Sequence, residues 1–346
     1  MTVTPDAPAS VHPGTSLPPL WRAGILLLAI GVPVVVLFAG AEIYLRATGH
    51  FTYNRTYPGL HRDGPAVEWV RHDPELGWVG DPDFLPGEIN PQGFRDPADY
   101  DSLYAPSGKR RVMIVGDSFV YGAGVAAEST FPSQLRATLS TTHDVFAIGV
   151  PGWGLDQMYL AYRRYAPTLS PDVVVLAFID DDIDRVLEAF RRWERLNKPS
   201  FEVVDGELVP QRVPGRVRRR IEKWIGRSVL LSTVLREYYV MSNARPVVAH
   251  MVGEMARDVR DRGGRFAALR IPTGDHPYAS RRIRRWLIDY DGMFADLGVP
   301  YHDASDTLLS VPNWGARIYV EDGHLNEYGN ELVAAFVLDR VIRPES

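Results

Sequence analysis

Four stretches of this chain hold residue types that could do chemistry. Ser118 follows Gly116 and Asp117 at the end of the apolar run "RVMIVG", with a second glycine pair, Gly122 and Gly124, close behind. Its hydroxyl is either a nucleophile or the small polar residue that a tight strand-to-helix turn prefers. The stretch "AIGVPGWGLDQ" brings Gly149, Gly152 and Gly154 into a turn that leads to a helix, where backbone N–H groups can face an anion. Three consecutive acids, Asp180, Asp181 and Asp182, follow the next apolar run, and "VEDGHLNEYGNELVAA" puts Asp322 and His324 on a loop just before a helix.

The elements that must position these groups alternate in character after Lys109. Short apolar runs read as strands at 111–116, 144–149, 172–178 and 265–271, with a shorter one at 299–304. Helical stretches lie between them: "FPSQLRATLS", "LDQMYLAYRRYA", "DIDRVLEAFRRWERL", "VVAHMVGEMARDVRDRG", "RRIRRWLIDYDGMFADLG" and "NEYGNELVAAFVLDRVI". The pattern predicts a three-layer α/β/α sandwich around a five-stranded, mostly parallel sheet. In such sheets ligand groups gather at the carboxyl ends of the strands. Ser118, Gly152, Asp180 to Asp182 and His276 all follow a strand end.

In this combination the chain resembles the SGNH hydrolase superfamily, the GDSL-type esterases and lipases, over roughly 109–342. Gly116, Asp117 and Ser118 match the family's first block, Gly152 its second-block glycine, and "DGH" its C-terminal block. The earlier "DPELGW" and "GFRD" are similar to extensions of membrane-anchored bacterial members. The resemblance implies a flavodoxin-like SGNH fold, with Ser118 as nucleophile, His324 as base and Asp322 as the orienting acid. A serine hydroxyl is a weak nucleophile until an imidazole takes its proton, and a carboxylate fixes the tautomer of that imidazole. The family's oxyanion hole implies donors at the Ser118 and Gly152 N–H groups and an asparagine side chain; losing one such donor costs about 2.7–4 kcal/mol.

The third block departs from the pattern. "FIDDDIDR" offers Asp181 at the asparagine position, with Asp182 as the acid that follows it and the register open by one residue. An ionised carboxylate repels an oxyanion, so Asn326 or Arg185 is the substitute donor to examine, and Asp117 and Asp182 are candidate supports or substrate contacts. The common spacing also puts Glu321 where the acid belongs, but Asp322, adjoining Gly323 in a turn, is favoured. Asp275 and His276 in "TGDHP" are the rival pair. His143, His250 and His302 sit beside apolar stretches and read as structural. Asp181, Asp182, Asp322 and His324 offer oxygen-rich ligands to a divalent cation, yet no spaced ligand motif accompanies them. Neither metal nor cofactor is expected.

Around this domain lie three other segments. Residues 1–22 are rich in Pro, Ser and Thr and read as a disordered tail. "AGILLLAIGVPVVVLFAGA", from Ala23 to Ala41, is uncharged and long enough to cross a bilayer; with its flank it predicts a transmembrane helix over 23–45. Its length favours a retained anchor over a signal cleaved near Ala39 to Ala41. Residues 46–108 form a loop-rich extension whose Trp69, Trp78, Phe84 and Phe94 should pack on the 109–346 domain. Within that domain an insertion at 199–244 begins with a hairpin around Asp205 and Gly206 and continues into a basic helix. There Val217, Ile221, Trp224 and Ile225 form one stripe, expected to pack on the domain, or else to touch a membrane or lid the site.

Net charge is -5, so no overall positive field exists to hold nucleic acid. The chain has no cysteine, which excludes disulfides and thiolate chemistry. The expected function is removal of small acyl groups from cell-envelope glycans or glycolipids by a membrane-anchored domain outside the cytoplasm. The alternatives are acyl transfer to an exported polysaccharide, and a non-catalytic glycan-binding or scaffold protein built on a degenerate site.

Overall fold

The computed structural model describes residues 18–49, 53, 55–64, 67–102, 108–274 and 288–343. Its centre is a wholly parallel sheet of five strands: β1 (Arg110–Gly116), β2 (His143–Gly149), β3 (Val173–Phe178), β4 (Arg265–Arg270) and β5 (Tyr301–Asp303). Their spatial order is β5-β4-β3-β1-β2. β3 is buried at every position because both faces of the sheet are covered.

Strand alternation divides the core in two. Met113, Val115, Phe146, Ile148, Val174 and Leu176 face one layer, which holds apolar residues of the Leu155–Leu169 and Arg245–Asp261 helices. Val112, Ile114, Val145, Ala147, Val173 and Val175 face the other, built from Phe131 and Leu135 on the Phe131–Thr138 helix and Val333 and Val337 on the Glu327–Val337 helix. The period of two thus produces the three layers.

The extension is clasped onto this sandwich by buried hydrogen bonds as well as aromatic packing. Trp78 and Phe94 are fully buried, whereas Phe84 stays 44% exposed, since it sits in a surface turn rather than over the sheet. Asp96 accepts from the Ala147 N–H at 2.7 Å and from Arg136 at 2.5 Å, while the Tyr100 hydroxyl donates to the Ala147 carbonyl at 3.0 Å. These bonds cover the outer edge of β2, which has no strand neighbour beyond it among the described residues.

Two stretches differ from the sequence expectation. "DIDRVLEAFRRWERL" is helical only to Arg185. Beyond it Thr56 of the extension accepts from the Ala189 and Phe190 N–H groups at 2.8 and 3.0 Å, and the chain folds into a small Phe190–Arg191 and Leu196–Asn197 hairpin. The basic helix, Arg216–Ile225, forms as expected, but most of its apolar stripe does not pack on the domain: Val217, Ile221 and Trp224 are 74%, 53% and 65% exposed, and only Ile225 is half-buried. The Asp205 and Gly206 hairpin is present, with both residues at positive φ as its tight turn requires.

At the other extreme, the Pro19–Ala47 helix has no buried residue. It is long and apolar enough to span a membrane by length and composition. It touches the domain at its C-terminal end, where Glu42 accepts from the Ser228 hydroxyl and from the Val229 and Leu230 N–H groups at 2.8–2.9 Å. Those groups open the Val229–Tyr239 helix, whose first-turn donors would otherwise be unsatisfied.

Gly116 and Gly149 are register partners at the ends of β1 and β2. A Cβ on Gly116 would lie 2.6 Å from the Ala177 carbonyl oxygen, and one on Gly149 would lie 2.6 Å from Val120 Cβ. Gly149→Ala is therefore expected to lift the Val120 turn and cost about 1–3 kcal/mol, read as a lower urea midpoint with unchanged m-value.

Candidate active site

The turn that follows β1 rests on those two glycines. Asp117 caps the short Ser118–Tyr121 helix, its carboxylate accepting from the Phe119 N–H at 2.9 Å, and Gly122 ends the helix in the left-handed conformation at φ +75°. Ser118 is the first helical residue, so its N–H has no acceptor within the helix. Arg95, from the "GFRD" stretch, closes the far side of the turn. It donates to the Gly122 and Val125 carbonyls at 3.0 and 2.9 Å, lies over the Tyr121 ring and is held by Glu88 at 2.6 Å.

His324 arrives from a loop shaped by its own backbone. The Val320 N–H donates to the His324 carbonyl at 2.8 Å, Gly323 adopts φ +86°, and the Gly274 N–H donates to the Gly323 carbonyl at 2.9 Å. This delivers His324 Nε2 to 2.8 Å from Ser118 Oγ, across 206 positions of sequence, with the imidazole 5.2 Å from the Phe119 ring. Asp322 Oδ1 lies 2.9 Å from His324 Nδ1 and accepts the His324 backbone N–H at 3.1 Å. The approach to Nδ1 is too oblique to count as a hydrogen bond. Burial raises the Asp322 carboxyl, but the His324 side chain and backbone N–H more than offset it and hold it below the usual carboxylate range. Glu321 is exposed and forms no ion pair with the imidazole. Asp275 and His276 lie outside the described residues.

The glycine-rich turn after β2 is fixed from two sides. Trp153 Nε1 donates to the Trp78 carbonyl at 2.9 Å, and Trp78 Nε1 to the Pro151 carbonyl at 3.1 Å. Gly152 sits at φ +81° with the Glu194 carboxylate where a Cβ would be. The Gly152 N–H enters no backbone hydrogen bond among the described residues.

Each of the three aspartates after β3 meets a different cation. Asp180 receives a bidentate pair from Arg270 at 2.7 Å and the Tyr290 hydroxyl at 2.9 Å. Asp181 faces Arg236 at 3.7 Å. It lines a cleft with Tyr53, Asp184 and Glu188. The expected oxyanion position is thus turned toward a different cation, because the first turn of the Asp180–Arg185 helix spreads consecutive side chains about 100° apart.

Asp182, fully buried, accepts the Ile179 N–H at 2.8 Å and Arg185 at 2.6 Å. Burial, then the nearby Asp117 charge, pushes its carboxyl well above the ordinary range, with Arg185 opposing. The same Arg185 nitrogen donates to Asp117 at 3.1 Å and to the Trp153 carbonyl at 2.9 Å. Asn326 is no substitute oxyanion donor: it caps the Glu327–Val337 helix through the Gly329 N–H and spends its amide on the Arg317 carbonyl. Arg95 and Glu194 are contacts the sequence reading did not assign. Arg95 stood in a quoted motif, while nothing in the sequence places Glu194 beside Gly152.

No family model matches the sequence, and no curated protein matches it. Solved structures are similar to it at low identity. The acetyl xylan esterase AlAXEase is 14% identical, covering 67% of this chain and 99% of its own, with a TM-score of 0.43. A GDSL-like lipase from Bacteroides thetaiotaomicron is 14% identical over 71% and 94% of the two chains, with a TM-score of 0.43. A lipolytic protein of the G-D-S-L family from Veillonella parvula is 14% identical over 68% and 100%, with the same TM-score of 0.43.

Replacing Arg185 by Met leaves the buried Asp117 and Asp182 carboxyls without their shared cation. Breaking a buried pair from one side costs about 3–5 kcal/mol, so Arg185→Met is expected to fall by that amount in chemical denaturation. Arg191→Met, whose ion pairs with Glu188 and Glu194 are nearer the surface, should lose less than half as much.

Proposed function

We propose that this chain is a serine ester hydrolase of the SGNH type. The observation that carries the reading is the 2.8 Å contact between Ser118 Oγ and His324 Nε2 at the carboxyl edge of the sheet. His324 Nε2 takes the Ser118 proton as Oγ attacks the acyl carbonyl carbon. The oxyanion that forms is met by the Ser118 and Gly152 N–H groups, and Asp322 stabilises the imidazolium from the Nδ1 side. Collapse of the intermediate breaks the ester C–O bond, with the imidazolium protonating the leaving alcohol. Water, deprotonated by His324, then releases the acid from Ser118. Asp117, Asp182 and Arg185 support the turn that carries the nucleophile and touch no substrate. Asp181 takes no part in the oxyanion hole.

The substrate class follows from where the domain is held. We read the Pro19–Ala47 helix as a retained single-pass anchor, a view supported by its length and apolar composition and by the Glu42 cap on the domain. A hydrolase tethered in this way outside the cytoplasm meets acyl esters of envelope glycans or glycolipids, and small acyl groups such as acetyl suit it.

With a nitrophenyl acyl ester, the full chain in detergent should show a burst of nitrophenol and label with a fluorophosphonate. Ser118→Ala should lose both, with kcat down by about 10⁵–10⁶. An unlabelled Ser118 and no burst in the wild-type chain would sink the proposal. Because Asp322 is an oblique and exposed partner, Asp322→Asn should cost only about 10–100-fold in kcat/KM, less than the roughly 10⁴ of a fully buried triad acid.

A further inference from the structure

The Arg216–Ile225 helix is docked the wrong way round for a protein in water. Its polar side faces the domain: Glu222 accepts from the Tyr57 hydroxyl at 2.6 Å, from the Tyr239 hydroxyl and from Arg218 at 2.9 Å. Its apolar stripe of Val217, Ile221 and Trp224 points away, mostly exposed. Arg220, exposed, borders that stripe, and Arg216 and Lys223, also exposed, continue the polar flank beyond it. From Arg212 to Arg227 the sequence carries seven basic residues and one acidic, in a chain whose net charge is -5. An apolar stripe with Trp, flanked by Arg and Lys, is the composition of a helix that lies in the headgroup region of a bilayer.

The position of the helix selects the same partner. The next helix, Val229–Tyr239, is the one that Glu42 caps, and Arg46 donates to the Arg227 carbonyl at 2.9 Å. The basic helix is therefore fixed at the C-terminal end of the apolar Pro19–Ala47 helix, where a spanning segment leaves the hydrocarbon. Val234 and Tyr238 of the neighbouring helix are exposed as well. Behind the basic helix is a cleft of about 540 Å³ lined by Arg55, Arg192, Arg219 and Lys223 together with Tyr57 and Glu222. None of its four cations forms an ion pair among the described residues, and Arg219 Nε is buried without a hydrogen-bond partner. Arg55 is already engaged over the Tyr57 and Tyr239 rings, and a lipid phosphate would pair with Arg219, Arg192 and Lys223.

We propose that Arg216–Ile225 is a second membrane contact, lying in the surface of an anionic bilayer with Val217, Ile221 and Trp224 among the acyl chains and its cations on lipid phosphates. This rests on the reading of Pro19–Ala47 as a spanning anchor but not on esterase activity. Each cation at an anionic surface multiplies the ratio of docked to free helix about fivefold.

The chain's lack of cysteine makes the test direct. Single Val217→Cys, Ile221→Cys, Val35→Cys and Thr138→Cys variants of the full chain are spin-labelled and reconstituted in vesicles of phosphatidylcholine with and without 30% phosphatidylglycerol. Oxygen and nickel-chelate accessibility then report depth. In anionic vesicles the labels at 217 and 221 should be lipid-exposed like that at 35, and that at 138 water-exposed. Adding Arg216→Gln, Arg220→Gln and Lys223→Gln should lower the docked ratio about 100-fold and move 221 into water. A lipid-embedded label at 35 with 217 and 221 in water overturns the inference and leaves the anchor standing. Water exposure at 35 overturns both. Loss of ester hydrolysis with 217 and 221 embedded overturns the proposed activity alone. Equal embedding in both lipids, unmoved by the triple substitution, overturns the anionic part.

Discussion

One partly buried guanidinium holds the site's loops in relation to each other. Arg185 reaches from the helix after β3 to Asp117 after β1 and to the Trp153 carbonyl after β2, while pairing with Asp182 of its own helix. Three strand ends joined by backbone bonds in the sheet thereby share one side chain at its edge. Its charge does not neutralise both acids, which is why burial and mutual repulsion fall on Asp182 and raise its carboxyl. Asp117 keeps its capping bond to Phe119, and Ser118 keeps its place.

The extension does for the outside of the site what Arg185 does for the inside. Arg95 closes the Ser118 turn, Trp78 and Trp153 interlock over the glycine turn, and Asp96 with Tyr100 finishes the β2 edge. A sheet edge of this kind presents unpaired backbone groups that must be covered. Covering it with a segment that precedes the domain in sequence makes the geometry of the Gly152 turn depend on residues well upstream of the sheet.

The strands were legible because each is a short apolar run bounded by turn residues, and because their order admits few connections. The turn at Ser118 and the histidine loop were legible for a related reason: small residues and an acid next to a histidine mark both. The fate of Asp180, Asp181 and Asp182 was not. Three identical side chains in one helical turn diverge, and which cation each meets is decided by Arg270, Arg236 and Arg185, two of them far along the chain. The stripe of the basic helix was visible as a period, but a period does not say which side faces the protein. Nor does composition reveal that a helix expected to run past Arg185 ends there, with Thr56 taking the Ala189 and Phe190 N–H groups beyond it.

The Glu42 cap has a mechanical consequence. A flexible leash would let the domain sweep a hemisphere of accessible space, whereas three hydrogen bonds accepted by one carboxylate join the last turns of the apolar helix to the Val229–Tyr239 helix. On the anchored reading, the domain then rides on a rigid mast. On that same reading Ser118 would be held at one height and one tilt above the bilayer, within reach only of what is presented at that altitude.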